Sequence, residues 1–477
     1  MGGGECMAGH AASKQLGRWP IGALLWKYSL PAIVGMVVMA LYNVVDRLYV
    51  GRCVGADGLA GLALTFPATM VMLAFGLLIG VGTATRISIA MGQGKRTISQ
   101  CYLGQAVAVY LVLSLGVYPV CAYFSGSIMA AIGGTPATVP AAAAYMRIYF
   151  SGAICQYLSF GLNHTIRAQG HPTKALMTML IGAVVNVVLD PFFIFESVPL
   201  GVCTVPAMGL GIQGAAIATV ISQGISAVWV MTHFLRPSST LRLKPGFVKF
   251  YPRLLRQVIM LGLPPFALNL VGSAVNALYN ILFRLHAPDE ATAGREIAAI
   301  GIVMTVQMLI CMPVLGVAQG MQPILGFNYG ARQFDRVRQT FRLAALWGGG
   351  YIALCSALVM LLRVPIFRLF CKAEMAGDLL VYGPRDMLVF FCGFTFVGYA
   401  ILVGQYFQSI GRGGVSLTMS LSRQCFLLVP MMLVFPLFLG GIGVWWAAPV
   451  SDVISVLIAF WFHWRDPILR GRAVAVA

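Results

Sequence analysis

The chain has 477 residues, 59% of them hydrophobic and 10% charged, with a net charge of +18 and a mean hydropathy of +0.86. A water-soluble chain carries nearer a quarter of its residues as charges, so this composition excludes a soluble enzyme or binding module and specifies a polytopic α-helical membrane protein. The long apolar runs exclude an outer-membrane barrel, whose short strands alternate, and the Lys and Arg excess lies between spans, where it orients the chain rather than binding nucleic acid.

Residues 1–20 are Gly-rich and polar, with Lys14 and Arg18, and lack the short apolar core and cleavage site of a removed signal peptide. Cys6 stands where a myristoylation motif wants Ser or Thr, so this stretch reads as a cytoplasmic tail. About 20 apolar residues cross a bilayer. On that rule about twelve spans follow, near 23–50, 57–82, 101–125, 139–162, 174–196, 210–234, 254–284, 294–326, 341–363, 383–408, 415–439 and 442–463.

Alternate connections are basic: Lys95 and Arg96, Arg167 and Lys174, the group from Arg236 to Arg256, the group from Arg332 to Arg342, and Arg412. The positive-inside rule places these loops and both termini in the cytoplasm. Residues 237–252, with Pro237, Ser239, Pro245 and Pro252, form a polar linker at the midpoint. It separates an N-lobe, 21–236, from a C-lobe, 253–465, with 466–477 as a second cytoplasmic tail. Cys53 and Cys203 both fall in outer loops, which leaves a disulfide between them open.

The halves repeat. Leu30-Pro31 with Leu41-Tyr42-Asn43 returns as Leu263-Pro264 with Leu278-Tyr279-Asn280, and Gly92-Gln93-Gly94 returns as Asn328-Tyr329-Gly330. Ala168-Gln169-Gly170 returns as Ser409-Ile410-Gly411, and Gly214-Ala215-Ala216 with Gln223 returns as Gly443-Val444-Trp445 with Asp452. Six spans per half is an even number, so the two bundles share one orientation, with a site expected near the midplane.

Fourteen acidic residues can be sorted singly. Asp57, Glu196, Asp289, Glu290, Glu296, Glu374, Asp378 and Asp386 fall by outer loops, Asp335 and Asp466 in cytoplasmic segments, and Glu5 in the N-terminal tail; these are expected to be solvated. Asp452, inside the last span, is ambiguous. Asp190 is flanked by apolar residues on both sides, a placement costing about 2.5–3.5 kcal/mol if ionised at the bilayer centre. Asn186 precedes it by four residues and so shares its helix face. Thr219 lies on a small-residue face, suited either to close packing or to a hydroxyl ligand. Asp46 can end a span in a salt bridge with Arg47, yet the repeat copies Tyr42-Asn43 as Tyr279-Asn280 and puts Phe283 in place of the acid. A duplicated scaffold with an unduplicated acid singles out Asp46. Tyr42, Tyr145, Tyr149 and Asn163 are candidates to line a cavity, and Arg86 and Arg147 either snorkel or face water. No phosphate loop, H-E-x-x-H or nucleophile elbow is present, so neither an enzyme nor an ATP-driven chain is indicated, and an ion gradient is the expected energy source.

Pro31 with Tyr42-Asn43-Val44-Val45-Asp46, the turn Arg167-Ala168-Gln169-Gly170-His171-Pro172, Asn186-Val187-Val188-Leu189-Asp190-Pro191, and Gly214-Ala215-Ala216-Ile217-Ala218-Thr219 together resemble the multidrug and toxic compound extrusion (MATE) family, nearest its DinF-like and MepA-like bacterial branch. The likeness runs from about Leu24 to Trp464. It implies twelve helices in two pseudo-symmetric six-helix bundles, and export of cationic amphiphilic drugs by antiport with H⁺ or Na⁺. It places the coupling cation, Na⁺ being the candidate metal, at Asp46, Asn186, Asp190 and Thr219, and a gating bend at Pro31. It also implies a bacterial cell-membrane location, no cofactor beyond the ion, and a monomer with no obligatory protein partner. Acids that some branches carry on helices 7, 8 and 10 find no deep counterpart here, so coupling is expected in the N-lobe. The alternative in the same superfamily is a lipid or lipid-linked oligosaccharide flippase, which Arg47, Arg86 and Arg147 would serve if they converged on phosphate.

Overall fold

The computed structural model describes residues 15–200, 203–237, 239–370 and 377–471; within them the side chains of residues 43, 47, 52, 54–60, 198–200, 203, 204, 377 and 378 lie outside the description, and with them the placements expected for Asp57, Glu374 and Asp378. Nearly everything described is helix, plus a two-stranded hairpin, β1 (Ser197–Leu200) and β2 (Cys203–Pro206). Among the described residues, ten unbroken helices are long and apolar enough to cross a membrane. They are α1 (Ile21–Gly51), α2 (Gly61–Gly92), α3 (Arg96–Tyr123), α5 (Pro172–Ile194), α6 (Ile212–Leu235), α7 (Pro252–His286), α8 (Glu290–Gly330), α9 (Phe334–Leu361), α11 (Gly413–Leu439) and α12 (Ile442–Arg465). An eleventh, α10, is the pair Leu379–Phe394 and Val397–Ser409, bent by 41°. The twelfth expected span is α4, broken into Val139–Ser151, Ala153–Gln156, a π-helical Tyr157–Gly161 and Leu162–Ala168. Gly152 interrupts it, and the wider π turn lets Gly161 pack directly against the Tyr110 ring and the backbone of Gly80.

Helical backbone continues through the connection of α1 to α2, giving a 72-residue run. Straight, it would be about 108 Å long, several times the hydrocarbon thickness. It turns back instead: Tyr49 packs edge-on against Phe195, and Gly61 lies against Ile212. Gly211 N donates to Ile194 O at 3.1 Å, so these partners share one end of α5 and α6.

By contacts the chain forms two compact units, Val34–Gly262 and Trp19–Ile33 with Leu263 onward. The first half of α1 therefore packs in the second unit, and the start of α7 packs in the first. Glycines admit both exchanged pieces. A Cβ on Gly320 would come within 2.7 Å of the Ser29 Cα, and one on Gly262 would run into the Leu78 carbonyl. Each exchanged piece ends beside a proline, Pro31 or Pro264, which cannot donate to the preceding turn and so weakens the helix there. The 237–252 connection is no loose tether. Arg96 Nη2 and Nε donate to Thr240 O at 2.7 and 3.1 Å, Gln105 Nε2 donates to Tyr251 O at 3.1 Å, and Leu241 is buried in the first unit. Large apolar side chains such as Leu115, Val184, Leu361 and Leu437 face outward, as a lipid-facing surface requires.

Gly262→Ala is expected to cost about 1–3 kcal/mol through overpacking, lowering the melting temperature of the purified protein in thermal-shift measurements. Gly116→Ala, whose added Cβ meets nothing within 4 Å, is expected to melt as wild type does.

Candidate functional site

The site is built where α5 meets α6. Ala215, Ala216 and Ala218 are fully buried, and Gly214 lies against the Phe193 carbonyl. Small residues let the two backbones approach, and that approach brings Thr219 to Asn186. Asn186 Nδ2 donates to Asp190 Oδ1 at 3.1 Å and to Thr219 Oγ1 at 3.4 Å, while Thr219 Oγ1 donates to Ala215 O at 2.8 Å. Asp190 is 0% and Asn186 1% exposed. Two oxygens of this trio, Asn186 Oδ1 and Asp190 Oδ2, are buried without a hydrogen-bond partner. Buried polar atoms are nearly always paired, and two adjacent acceptors of this kind have the chemistry to take a cation or a proton.

Asp46 of α1 joins them. Its carboxyl lies within electrostatic reach of Asp190 and of the Tyr42, Tyr145 and Tyr149 hydroxyls. The Tyr145 and Tyr149 rings stack with centroids 5.7 Å apart, and Gln156 and Gln223 lie against the Tyr149 hydroxyl. Thus α1, α4, α5 and α6 together present two like-charged carboxyls ringed by phenols. Asn163 is not among them. Its Nδ2 donates to Ala175 O at 2.7 Å, fifteen residues before Asp190 on α5, or roughly 22 Å along the helix. It ties α4 to α5. Pro31 lies in the exchanged half of α1, likewise fifteen residues from Asp46. Cys53 is a free thiol donating to Ile194 O at 3.2 Å; the side chain of Cys203, its open disulfide partner, lies outside the described residues.

Arg86 and Arg147 do not converge. Arg86 lies near Tyr102, whose hydroxyl donates to Gln257 Oε1 at 2.6 Å, at the start of α3. Arg147 Nε donates to Ser125 Oγ at 2.8 Å, just past the end of α3. Those positions are roughly 35 Å apart along the helix.

The second unit corrects several solvated assignments. Asp386 is buried in α10, only 7% exposed and within electrostatic reach of Glu296, and Glu296 Oε2 accepts from Trp445 Nε1 at 2.7 Å. Carboxyls on α8 and α10 are therefore present after all, beside span ends that read as loops. Asp466 is also buried. It accepts from Arg412 Nη1 at 2.7 Å and Tyr406 Oη at 3.1 Å, and caps the short helix Pro467–Arg470. Asp289, by contrast, is exposed: its Oδ1 accepts from Thr292 N at 2.6 Å as the N-cap of α8, and hydrogen bonding to Thr292 holds its carboxyl below the usual range. The ambiguous Asp452 accepts from Arg423 Nε at 2.8 Å in a buried ion pair. Arg423 went unremarked in the sequence, although an arginine inside the 415–439 span was its own signal.

Comparison with known proteins agrees with this architecture. The family model described as MatE matches residues 31–192 and 291–434. The multidrug export protein MepA of Staphylococcus aureus (strain NCTC 8325 / PS 47) is 24% identical over 444 residues, covering 92% of this chain and 93% of that protein. The structure of the MATE multidrug transporter DinF-BH in complex with rhodamine 6G is 33% identical, with a TM-score of 0.83, covering 94% of this chain and 96% of that one. An outward-facing multidrug resistance MATE transporter of the MOP superfamily superposes with a TM-score of 0.86 at 22% identity, over 96% and 98% of the two chains. With its multi-pass helical fold, its duplicated bundles and a family match over well over half its length, the chain belongs to the MatE family of membrane transporters.

Proposed function

We propose that this protein exports small amphiphilic organic cations from a bacterial cell by antiport with H⁺ or Na⁺. The observation that carries the reading is the pair of carboxyls formed by the buried Asp190 and the part-buried Asp46, within electrostatic reach of each other and flanked by Asn186 and Thr219. Two carboxylates in a low-dielectric bundle repel, and a proton or a Na⁺ ion relieves that repulsion. The oxygens of Asp46, Asp190, Asn186 and Thr219 form the hard donor set that Na⁺ takes, with Asn186 Oδ1 and Asp190 Oδ2 available.

Occupancy by the ion favours closure of α1 on α5 and disfavours the state in which the carboxyls and the stacked Tyr145 and Tyr149 face a cationic drug. Drug and ion then exclude one another, which is the requirement for exchange. The MepA relatives carry multidrug export in their names, and DinF-BH was solved with rhodamine 6G. Both support a drug-like cargo. The chain works as a monomer in this scheme, with both termini in the cytoplasm and no cofactor beyond the ion. Arg86 and Arg147, two of the three arginines a flippase would bring together, sit toward opposite ends of α3, which favours the export reading; the side chain of Arg47 lies outside the described residues.

In a host lacking its own pumps, Asp190→Asn is expected to abolish rhodamine 6G efflux at unchanged protein abundance; wild-type resistance in that variant would sink the assignment. Asp46→Asn is expected to shift how efflux from vesicles depends on an imposed pH or Na⁺ gradient, whereas a loss of stability alone returns Asp46 to a structural role. Pro31→Ala is expected to lower transport several-fold more than abundance, measured by dye efflux against immunoblot.

A further inference from the structure

The second unit buries an ion pair that coupling at Asp46 and Asp190 does not use. Arg423 Nε donates to Asp452 Oδ1 at 2.8 Å, with the Asp452 side chain 3% and the Arg423 side chain 23% exposed. Arg423 stands in a π-helical stretch of α11, Ser422–Leu428, a local widening that recurs at functional sites. Tyr279 of α7 and Cys311 of α8 lie within electrostatic reach of both charges. The Tyr279 hydroxyl and Asp452 Oδ2 are both buried without a hydrogen-bond partner.

An ion pair that only holds helices together offsets its desolvation when its remaining donors and acceptors are satisfied. Here two polar groups beside the pair are not. The guanidinium bonds the acid through Nε alone, and the side chain keeps an open part. A charge inside a span faces the bundle interior or a water-filled cavity rather than hydrocarbon. The internal repeat places the same spot in both units: Tyr279 copies Tyr42, and Asp452 copies Gln223. In the first unit that spot collects two carboxyls. In the second it collects an acid and an arginine.

We propose that Arg423 and the Tyr279 hydroxyl form a subsite, within the second unit, for the carboxylate of a small zwitterionic substrate, with Asp452 both orienting the guanidinium and touching the bound molecule. The terminal guanidinium nitrogens match a carboxylate's geometry. Asp452 occupies Nε and so fixes the plane in which those nitrogens are offered, and Asp452 Oδ2 accepts from an N–H or O–H of the same molecule. The pair is neutral overall, so a zwitterion adds no net charge to the buried site, while a simple cation meets the guanidinium. The word substrate rests on the export reading; binding does not.

The test is equilibrium binding by fluorescence anisotropy, with purified full-length protein in detergent. The probes are rhodamine 19, which carries a free carboxylate, and rhodamine 6G, its ethyl ester. Arg423→Gln with Asp452→Asn removes both charges at nearly constant size and strands neither. It is expected to weaken rhodamine 19 about tenfold or more, the worth of a charge-assisted hydrogen bond, and to leave rhodamine 6G within about twofold. Equal weakening of both dyes, or no change in either, overturns the subsite. If the wild type binds rhodamine 6G and not rhodamine 19, the subsite falls and the export reading stands; if it binds neither, both fall. Should the double variant fail to fold, Tyr279→Phe deletes only an unpartnered hydroxyl. It is expected to weaken rhodamine 19 about threefold and spare rhodamine 6G, and unchanged binding of rhodamine 19 overturns the subsite.

Discussion

A fully buried carboxyl with one oxygen bonded and one not is the constraint on which the first unit depends. Asp190 holds Asn186 through Oδ1, and Asn186 in turn reaches Thr219 on the neighbouring helix. That contact exists because Gly214, Ala215 and Ala218 let α6 come close, so the small-residue face and the polar trio are one arrangement rather than two. Leaving Asp190 ionised there is costly, and bringing Asp46 into reach raises the cost further. A proton or a cation that neutralises the pair would lower that cost, which is the physical basis of the coupling proposed above.

Duplication has kept the scaffold and changed the charges. Leu-Pro and Leu-Tyr-Asn stand in both α1 and α7, and Tyr42 and Tyr279 both lie beside ionisable groups. At the position of Asp46 the second copy has Phe283, which packs against Trp445 with centroids 5.5 Å apart. An aromatic cluster stands where the first unit has an acid, and an arginine stands on the helix that repeats α5. Equivalent frames thus carry unlike electrostatics, which a single shared frame with one ion site would not need.

Much of this was legible in the amino-acid order. Membrane spans announce themselves because hydrocarbon thickness sets their length, and Asp190 stood out because nothing polar comes after it for several residues. Asn186 was legible through the four-residue spacing, and Asp46 through its missing copy. Other features depend on partners far along the chain. Asp386 and Asp466 looked solvated because they lie near span ends, and their burial is decided by α8, by Arg412 and by Tyr406 rather than by their neighbours. Arg423 read as one more basic residue, because its partner Asp452 stands 29 positions away. Asn163 has the chemistry for a cavity, and its amide bonds Ala175 O, fifteen residues along α5 from Asp190. The exchange of helix halves leaves no local trace at all, since Trp19–Ile33 is as apolar as the remainder of α1 and says nothing of which glycines it will meet.

That exchange has a consequence for synthesis. Ser29 packs against Gly320, a partner that leaves the ribosome nearly 300 residues later, which at about 5–20 residues per second is roughly 15–60 s. Through that interval the first half of α1 lacks the glycine groove it packs against in the folded protein. Completion of the first bundle and completion of its first helix are separate events, and the second waits for α8.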